Sequence, residues 1–354
     1  MAYTTIDKPE DYFNTITWTG DGSRPISITG VGFQPDMVWA KNRSPDAFEH
    51  KLYDSSRGAG SDKELTPNEN YAEGGSNADT YGYLSSFDSD GFSSTDSNYN
   101  AYFNKSGTTY VAWNWKANAG STSSNTSGTI TSTVQANTDA GFSIGTYTGV
   151  GGTSTIGHGL NVAPEFFIIK RRDTAADWLV HPTIIDGSLD YFWLNKTDAA
   201  SNAGEPLPTS SVFTVPNVAW ANASGGTYVF YAFHSVQGYS KFGKYVGNGN
   251  ANGTFVYTGF APAFVMIKKT SGTSAWIMYD NKRNSYTGNY IHYLLQANYS
   301  DAEVTNLSYP IDFLSNGFKL RGSSLTNDSG GSYIYIAFAE NPFVTSTGIP
   351  TTAR

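Results

Sequence analysis

The sequence contains no cysteine among its 354 residues, which excludes disulfides and thiolate metal sites as sources of stability. Charge is scarce as well: Asp, Glu, Lys and Arg supply 15% of the chain, against roughly 25% in an average soluble domain. That charge sums to −8, which argues against nucleic-acid binding, because backbone phosphates are gripped by clustered Lys and Arg. No apolar run approaches the roughly 18 residues of a membrane-spanning helix, so no membrane partner is expected. Helical periodicity is nearly absent; the best stretch, residues 294–304, has polar residues where an apolar stripe belongs. The opening Met1-Ala2-Tyr3-Thr4-Thr5-Ile6-Asp7 lacks the basic and apolar parts of a signal peptide. The expectation is therefore a chain made in a cytoplasm, with the sequons at Asn42, Asn222 and Asn327 carrying no glycan.

Aromatic residues and glycine are abundant, at 8 Trp, 24 Tyr, 21 Phe and 37 Gly. Short aromatic and β-branched runs between Gly, Ser, Thr and Asn read as strands joined by turns. A length of 354 residues suggests two or three units on a prior of roughly 150 residues each.

An internal repeat fixes the number at three. The element aromatic-x-Gly-x-Gly occurs as Trp18-Thr19-Gly20-Asp21-Gly22, Tyr147-Thr148-Gly149-Val150-Gly151 and Tyr245-Val246-Gly247-Asn248-Gly249. In each copy a proline follows the second glycine by 13 residues, at Pro35, Pro164 and Pro262, and a lysine follows that proline by 6, at Lys41, Lys170 and Lys268. Each copy closes with a polar turn and an aromatic strand, as in Asn222-Ala223-Ser224-Gly225-Gly226-Thr227-Tyr228-Val229-Phe230-Tyr231. The Pro-led runs are almost wholly apolar, so both of their faces should be covered. The closing strand should pair with the Pro-led one. Asp90-Gly91 and Asn316-Gly317 mark hairpins, because the central positions of such turns favour positive φ.

The fold expected is all-β, with three tandem β-sandwich repeats of jelly-roll or lectin-like kind. The copies span residues 1–117, 141–238 and 239–345, with a Ser/Thr/Gly-rich linker at 118–140 and a tail at 346–354. The linker holds one strand-like piece at 129–134. With no spacer between them, copies two and three should pack as a pair and leave copy one apart.

Several of these stretches carry a resemblance: the opening through Pro9, Gly141-Phe142-Ser143-Ile144-Gly145-Thr146-Tyr147-Thr148-Gly149, Gly238-Tyr239-Ser240-Lys241-Phe242-Gly243-Lys244-Tyr245, and Phe338-Ala339-Glu340-Asn341-Pro342-Phe343. They resemble uncharacterised proteins of tailed phages, of marine and cyanobacterial type, labelled tail fibre or virion structural protein. The resemblance implies a virion component whose partners are other phage virion proteins, and it brings no catalytic residues.

Catalytic and metal constellations are weighed and set aside. The five histidines, at 50, 158, 181, 234 and 292, lack metal spacing. Asp54 and Asp280 occupy matching positions and suggest a glycosidase pair, but the middle copy has Pro182 there, which favours a strand-end or turn role. Asp88, Asp90 and Asp96 suggest Ca²⁺, but the third copy has Leu314 and Asn316 in the same turn frame. No cofactor and no catalysis are expected. The functional lead is aromatic: Trp113 and Trp115 are two apart and share a face of one strand, and are the candidate residues for stacking on a host surface glycan. Residues 55–81 and 195–210 are the long loops on which recognition would sit. The leading reading is a tail fibre or tail-associated adhesion protein, either as a homotrimer or as a monomer with internal pseudo-threefold symmetry. The alternatives are a capsid decoration or head fibre protein, a lectin-like receptor-recognition module and, last, a polysaccharide depolymerase.

Overall fold

Each copy contains the same four antiparallel strands in the same register, as a whole sheet in copy one and within sheets of eight and six strands in copies two and three. The computed structural model describes residues 2–95, 99, 101–284, 288–305 and 308–351. The opening strands are Phe13–Thr19, Phe142–Thr148 and Ser240–Val246; the Pro-led strands are Met37–Asn42, Phe166–Arg171 and Phe260–Lys269. The following strands are Lys51–Asp54, Leu179–Pro182 and Ile277–Asp280, and the closing strands are Thr109–Trp115, Thr227–Phe233 and Ser332–Pro342. In every copy the order is opening, closing, Pro-led, following. Trp115, Phe233 and Phe338 are the closing-strand partners of Phe13, Phe142 and Ser240 on one side and of Met37, Phe166 and Phe264 on the other. Pro35 and Pro164 precede their strands, whereas Pro262 lies inside one at a register shift, a place where a missing N–H is tolerated.

A smaller sheet accompanies each large one: Ile26–Thr29 with Gly91–Ser94 and Leu84–Asp88, then Ser154–Gly157 with Val212–Val215, then Phe255–Tyr257 with Gly317–Leu320, Ile311–Leu314 and Tyr290–Ile291. Alternation along the closing strands sorts side chains between two cores. Ala112, Phe230 and Tyr335 join separate clusters with the smaller sheets of their own copies. Trp113, Trp115, Tyr231, Phe233, Ile336 and Phe338 all enter one central cluster to which every copy contributes. A void of about 30 Å³ inside this cluster is lined by equivalent residues of the three copies, Met37 with Phe166 and Phe264, and Trp115 with Phe233 and Phe338 among them. The Pro-led strands are therefore covered on both faces, once by their own copy and once by the other two. Copy one does not stand apart; its aromatic inner face needs the same partners as the others.

The three contacts between copies run in one rotational sense. Lys41 donates to the Ser300 carbonyl, Lys170 to that of Asn70 and Lys268 to that of Thr197. Copy one thus reaches copy three, copy two reaches copy one, and copy three reaches copy two. One turn further on, His50 meets the Gln296 carbonyl, Trp178 those of Thr66 and Glu69, and Trp276 that of Trp193. The backbone repeats the pattern: Glu303 N–H donates to Arg43, Glu73 N–H to Arg172 and Ala200 N–H to Thr270. Three like contacts in one direction close a ring.

The repeated glycines have two distinct jobs. A Cβ on Gly20, Gly149 or Gly247 would overlap the carbonyl of Lys105, Ala223 or Asp328 in the closing turn. Gly22, Gly151 and Gly249 instead have φ of 78°, 74° and 64°, a region that favours glycine. Between them lies an asparagine with no exposure, Asn104, Asn222 or Asn327, whose side-chain oxygen accepts from the N–H of Asp21, Val150 or Asn248 at 2.9–3.0 Å. The sequons at Asn222 and Asn327 are thus buried latches, and Asn42 is buried too.

One local expectation changes. The hairpins at residues 84–94 and 311–320 form, but Asp88 pairs with Gly91 and Leu314 with Gly317, so Ser89-Asp90 and Ser315-Asn316 are the turns. Gly91, just after its turn, has a φ of 148°, and both Gly91 and Gly317 are crowded, since a Cβ would strike the Ile28 or Val256 carbonyl of the neighbouring strand. Residues 118–140 contribute strands Ser123–Asn125 and Ser132–Asn137, the second pairing with Phe142–Thr148. Asp36 pins the start of this stretch by accepting from the N–H groups of Ala117, Ala119 and Gly120. In the tail, Ser346 bonds Asp7.

Candidate functional site

The residues singled out for chemistry are mostly held inside. Trp113 is fully buried and Trp115 is 3% exposed. They do share a face, but it is the face turned to the central core, so neither ring is open to a ligand. The reason is tertiary: alternation puts both on the same side of the strand, and the other two copies cover that side. Trp39, Trp178 and Trp276 are buried too, whereas Trp220 is 39% exposed.

Asp54 and Asp280 are buried without exposure, and each is clamped by the arginine three residues on, through Arg57 Nε and Arg283 Nε at 2.6 Å. Asp54 Oδ1 also accepts from the Arg57 N–H, the turn role expected of it. A second acid completes each clamp: Arg57 and Arg172 pair with Glu73, while Arg283 and Arg43 pair with Glu303. Tyr231 O–H and Trp113 Nε1–H reach Asp54 and Asp280 from the adjacent copy. At the third contact every polar member is replaced at once: Pro182, Ile185, Ala200, Thr270 and Ile336 occupy the positions of Asp, Arg, Glu, Arg and Trp/Tyr. These carboxylates hold copies together.

Asp88 accepts from Ser86 and Ser93, and Asp90 from the N–H groups of Gly30 and Gly32; Asp96 lies outside the described residues. Among the described residues no three His, Cys, Asp or Glu side chains gather as metal ligands. Trp39 donates to His50 Nδ1, so the other ring nitrogen carries the proton toward Gln296. Burial holds this imidazole well below its ordinary pKa and brings His158 and His181 down to about 4. Burial also lowers Lys41 to about 7 and Lys170 and Lys268 to about 8, against the counter-effect of nearby carboxylates.

Each of the two long loops lines an open cleft. Residues 55–81 help wall a cleft of about 420 Å³ with Phe48, Glu49, Tyr71, Asn77, Tyr81 and Tyr102. Phe48, Tyr81 and Tyr102 pack on one another with ring centroids 5.4–5.8 Å apart, and Tyr99, 62% exposed, adds its ring to Tyr81 at 6.1 Å. Burial, then the charge of Glu49, raises the pKa of Glu69 beside it. Residues 195–210 wall a second cleft of about 260 Å³ with Tyr191, Asn202, Glu205 and Trp220, where Trp193 meets Trp220 edge-on at 5.5 Å. Phe48, Tyr102 and Tyr191 are not marked out by the sequence. Each stands outside the long loops and is brought to them by the fold.

A family model described as a domain of unknown function, DUF7483, matches residues 8–342. The chain belongs to this family. The match takes in all three copies, both clefts and the stretch between copies one and two, so the DUF7483 domain corresponds to the whole ring and not to a single repeat. No curated protein and no solved structure matches the chain.

Proposed function

We propose that this DUF7483 protein is a structural component of a tailed-phage particle, a tail fibre or tail-associated adhesion protein that displays loops and catalyses nothing, built as three tandem β-sandwich repeats of jelly-roll or lectin-like kind. The observation that carries the reading is the division of labour in the chain. Its buried charges and aromatic inner faces hold three copies in one ring, while the open aromatic clefts sit on long loops at the edge. A rigid scaffold with recognition placed on loops suits a displayed protein. The phage assignment itself rests on the sequence resemblance.

Because one polypeptide supplies all three units around a single axis, the reading favours the pseudo-threefold monomer over the homotrimer. Sedimentation equilibrium at the monomer mass is the expected result. The location is tested by immunogold microscopy on purified particles from a host that produces the chain. Gold on tails supports the proposal, gold on heads replaces it with the decoration or head-fibre reading, and unlabelled particles overturn it.

A further inference from the structure

We infer that the cleft beside Tyr71 in the first copy binds a neutral saccharide, a hexose or N-acetylhexosamine unit, and turns away uronic and sialic acids. The inference deepens the adhesion reading and rests on it for its biological sense, though not for its chemistry.

Size comes first. The cleft offers about 420 Å³, within the roughly 300–1,000 Å³ usual for small-ligand sites. Its walls combine ring faces with a few polar groups, the composition that matches a pyranose: apolar C–H faces against an aromatic plane, hydroxyls around the rim. Tyr71, which lines the cleft, is 36% exposed, so its ring has area to offer. Phe48, Tyr81 and Tyr102 pack against each other, and thereby form a firm back wall instead of a box around a central cation.

The polar groups then set the sign. Glu49 is half-buried, and its contact from the Tyr102 hydroxyl is long, at 3.4 Å, which leaves acceptor capacity for sugar hydroxyls. Tyr102 gives its better hydrogen bond, 2.9 Å, to the Ser76 carbonyl. Lys51, behind the Tyr102 ring, is buried; it pairs with Glu64 at 3.3 Å and lies 3.8 Å from the Tyr102 ring centroid. That cation is already balanced, whereas Glu49 and Glu69 leave net negative charge at the cleft. An anionic sugar would meet repulsion, with no Lys or Arg among the described residues that line the cleft to offset it.

The test is saturation-transfer NMR and calorimetry on the full chain with four probes: maltose, N,N′-diacetylchitobiose, digalacturonate and tetramethylammonium. The expected result is binding of maltose or diacetylchitobiose, at least tenfold weaker in Tyr71→Ala, with no transfer to digalacturonate at pH 7. Val162→Ala, at an exposed position of the second copy outside both clefts, should leave affinity within twofold. Glu49→Lys should weaken the neutral sugar and admit digalacturonate. Because Tyr71 is exposed, an unchanged thermal melt separates lost binding from lost folding. Binding of neither neutral sugar, preference for digalacturonate or tetramethylammonium, or a Tyr71→Ala affinity within twofold of wild type would each overturn the inference. Gold-labelled tails together with silent sugars would sink this inference alone; bound sugar with unlabelled particles would sink the phage reading and leave this one standing.

Discussion

Trp113 of the first copy donates its indole N–H to Asp280 of the third at 2.9 Å, with neither side chain exposed. Tyr231 makes the matching bond from the second copy to Asp54 of the first at 2.6 Å. The third such position holds Ile336, and the acid it would meet is Pro182. Two contacts in the ring thus carry a buried acid–arginine cluster, and at the third uncharged residues take the same positions. A charge left in that cluster without its partner is costly, whereas removal of the whole cluster restores a neutral interior.

The prediction is non-additivity. Arg283→Ile alone leaves Asp280 buried without its arginine, and Glu303 with Arg43 alone, and should cost about 3–5 kcal/mol in urea unfolding. The combined change Arg43→Thr, Trp113→Ile, Asp280→Pro, Arg283→Ile and Glu303→Ala reproduces the chemistry of the third contact and should cost less than the single change. A combined cost equal to the sum of the singles would show that the members of this cluster act independently of one another.

The glycine and asparagine of the closing latch can be separated in the same way. Asn327 Nδ2 donates to Gly322 and Asn250 carbonyls and to Asn248 Oδ1. Asn327→Ala should therefore cost about 2–3 kcal/mol, because buried groups are left unpaired. Gly247→Ala should cost at least as much, since its new methyl meets backbone that cannot rotate away. Gly330→Ala, with φ of 72° but open space around it, should cost only about 1 kcal/mol. Chemical denaturation of the three variants checks the order.

Acid should loosen the fold through its histidines. His158 and His181 titrate near 4 when folded and near 6.5 when unfolded. Between those values the unfolded chain binds more protons, so stability falls as pH drops from about 6.5 to 4. Asp190, raised to about 6 by burial and then by Asp186, works in the opposite sense between 3.8 and 6. At pH 4.5 each histidine should contribute a loss of roughly 2–3 kcal/mol. His158→Gln and His181→Gln should each shrink the pH 7 to pH 4.5 difference in urea midpoint. A difference that survives both changes would assign the acid sensitivity elsewhere.

Much of the architecture could be read in the letters. The fixed intervals from glycine to proline to lysine predict three matching sheets, and the identical registers of Phe13, Phe142 and Ser240 against the closing strands bear this out. Less legible were the hairpin turns: Gly91 has the expected positive φ, 148°, but it follows the turn instead of occupying its centre, and it is also crowded by Ile28. The site was half legible. The loops at 55–81 and 195–210 were picked out and do line clefts, whereas Trp113 and Trp115 were mistaken for exposed rings.

The sequence by itself determined local matters: which residues form strands, how often the pattern repeats, and which side chains share a face. These follow from short-range geometry, with alternation along a strand and sterics at a turn. Only the tertiary structure decided which of the two faces meets solvent and which meets the other copies. That choice depends on area buried between residues some 170 to 260 positions apart, such as Trp113 with Asp280 or Arg43 with Glu303, and no local pattern encodes it.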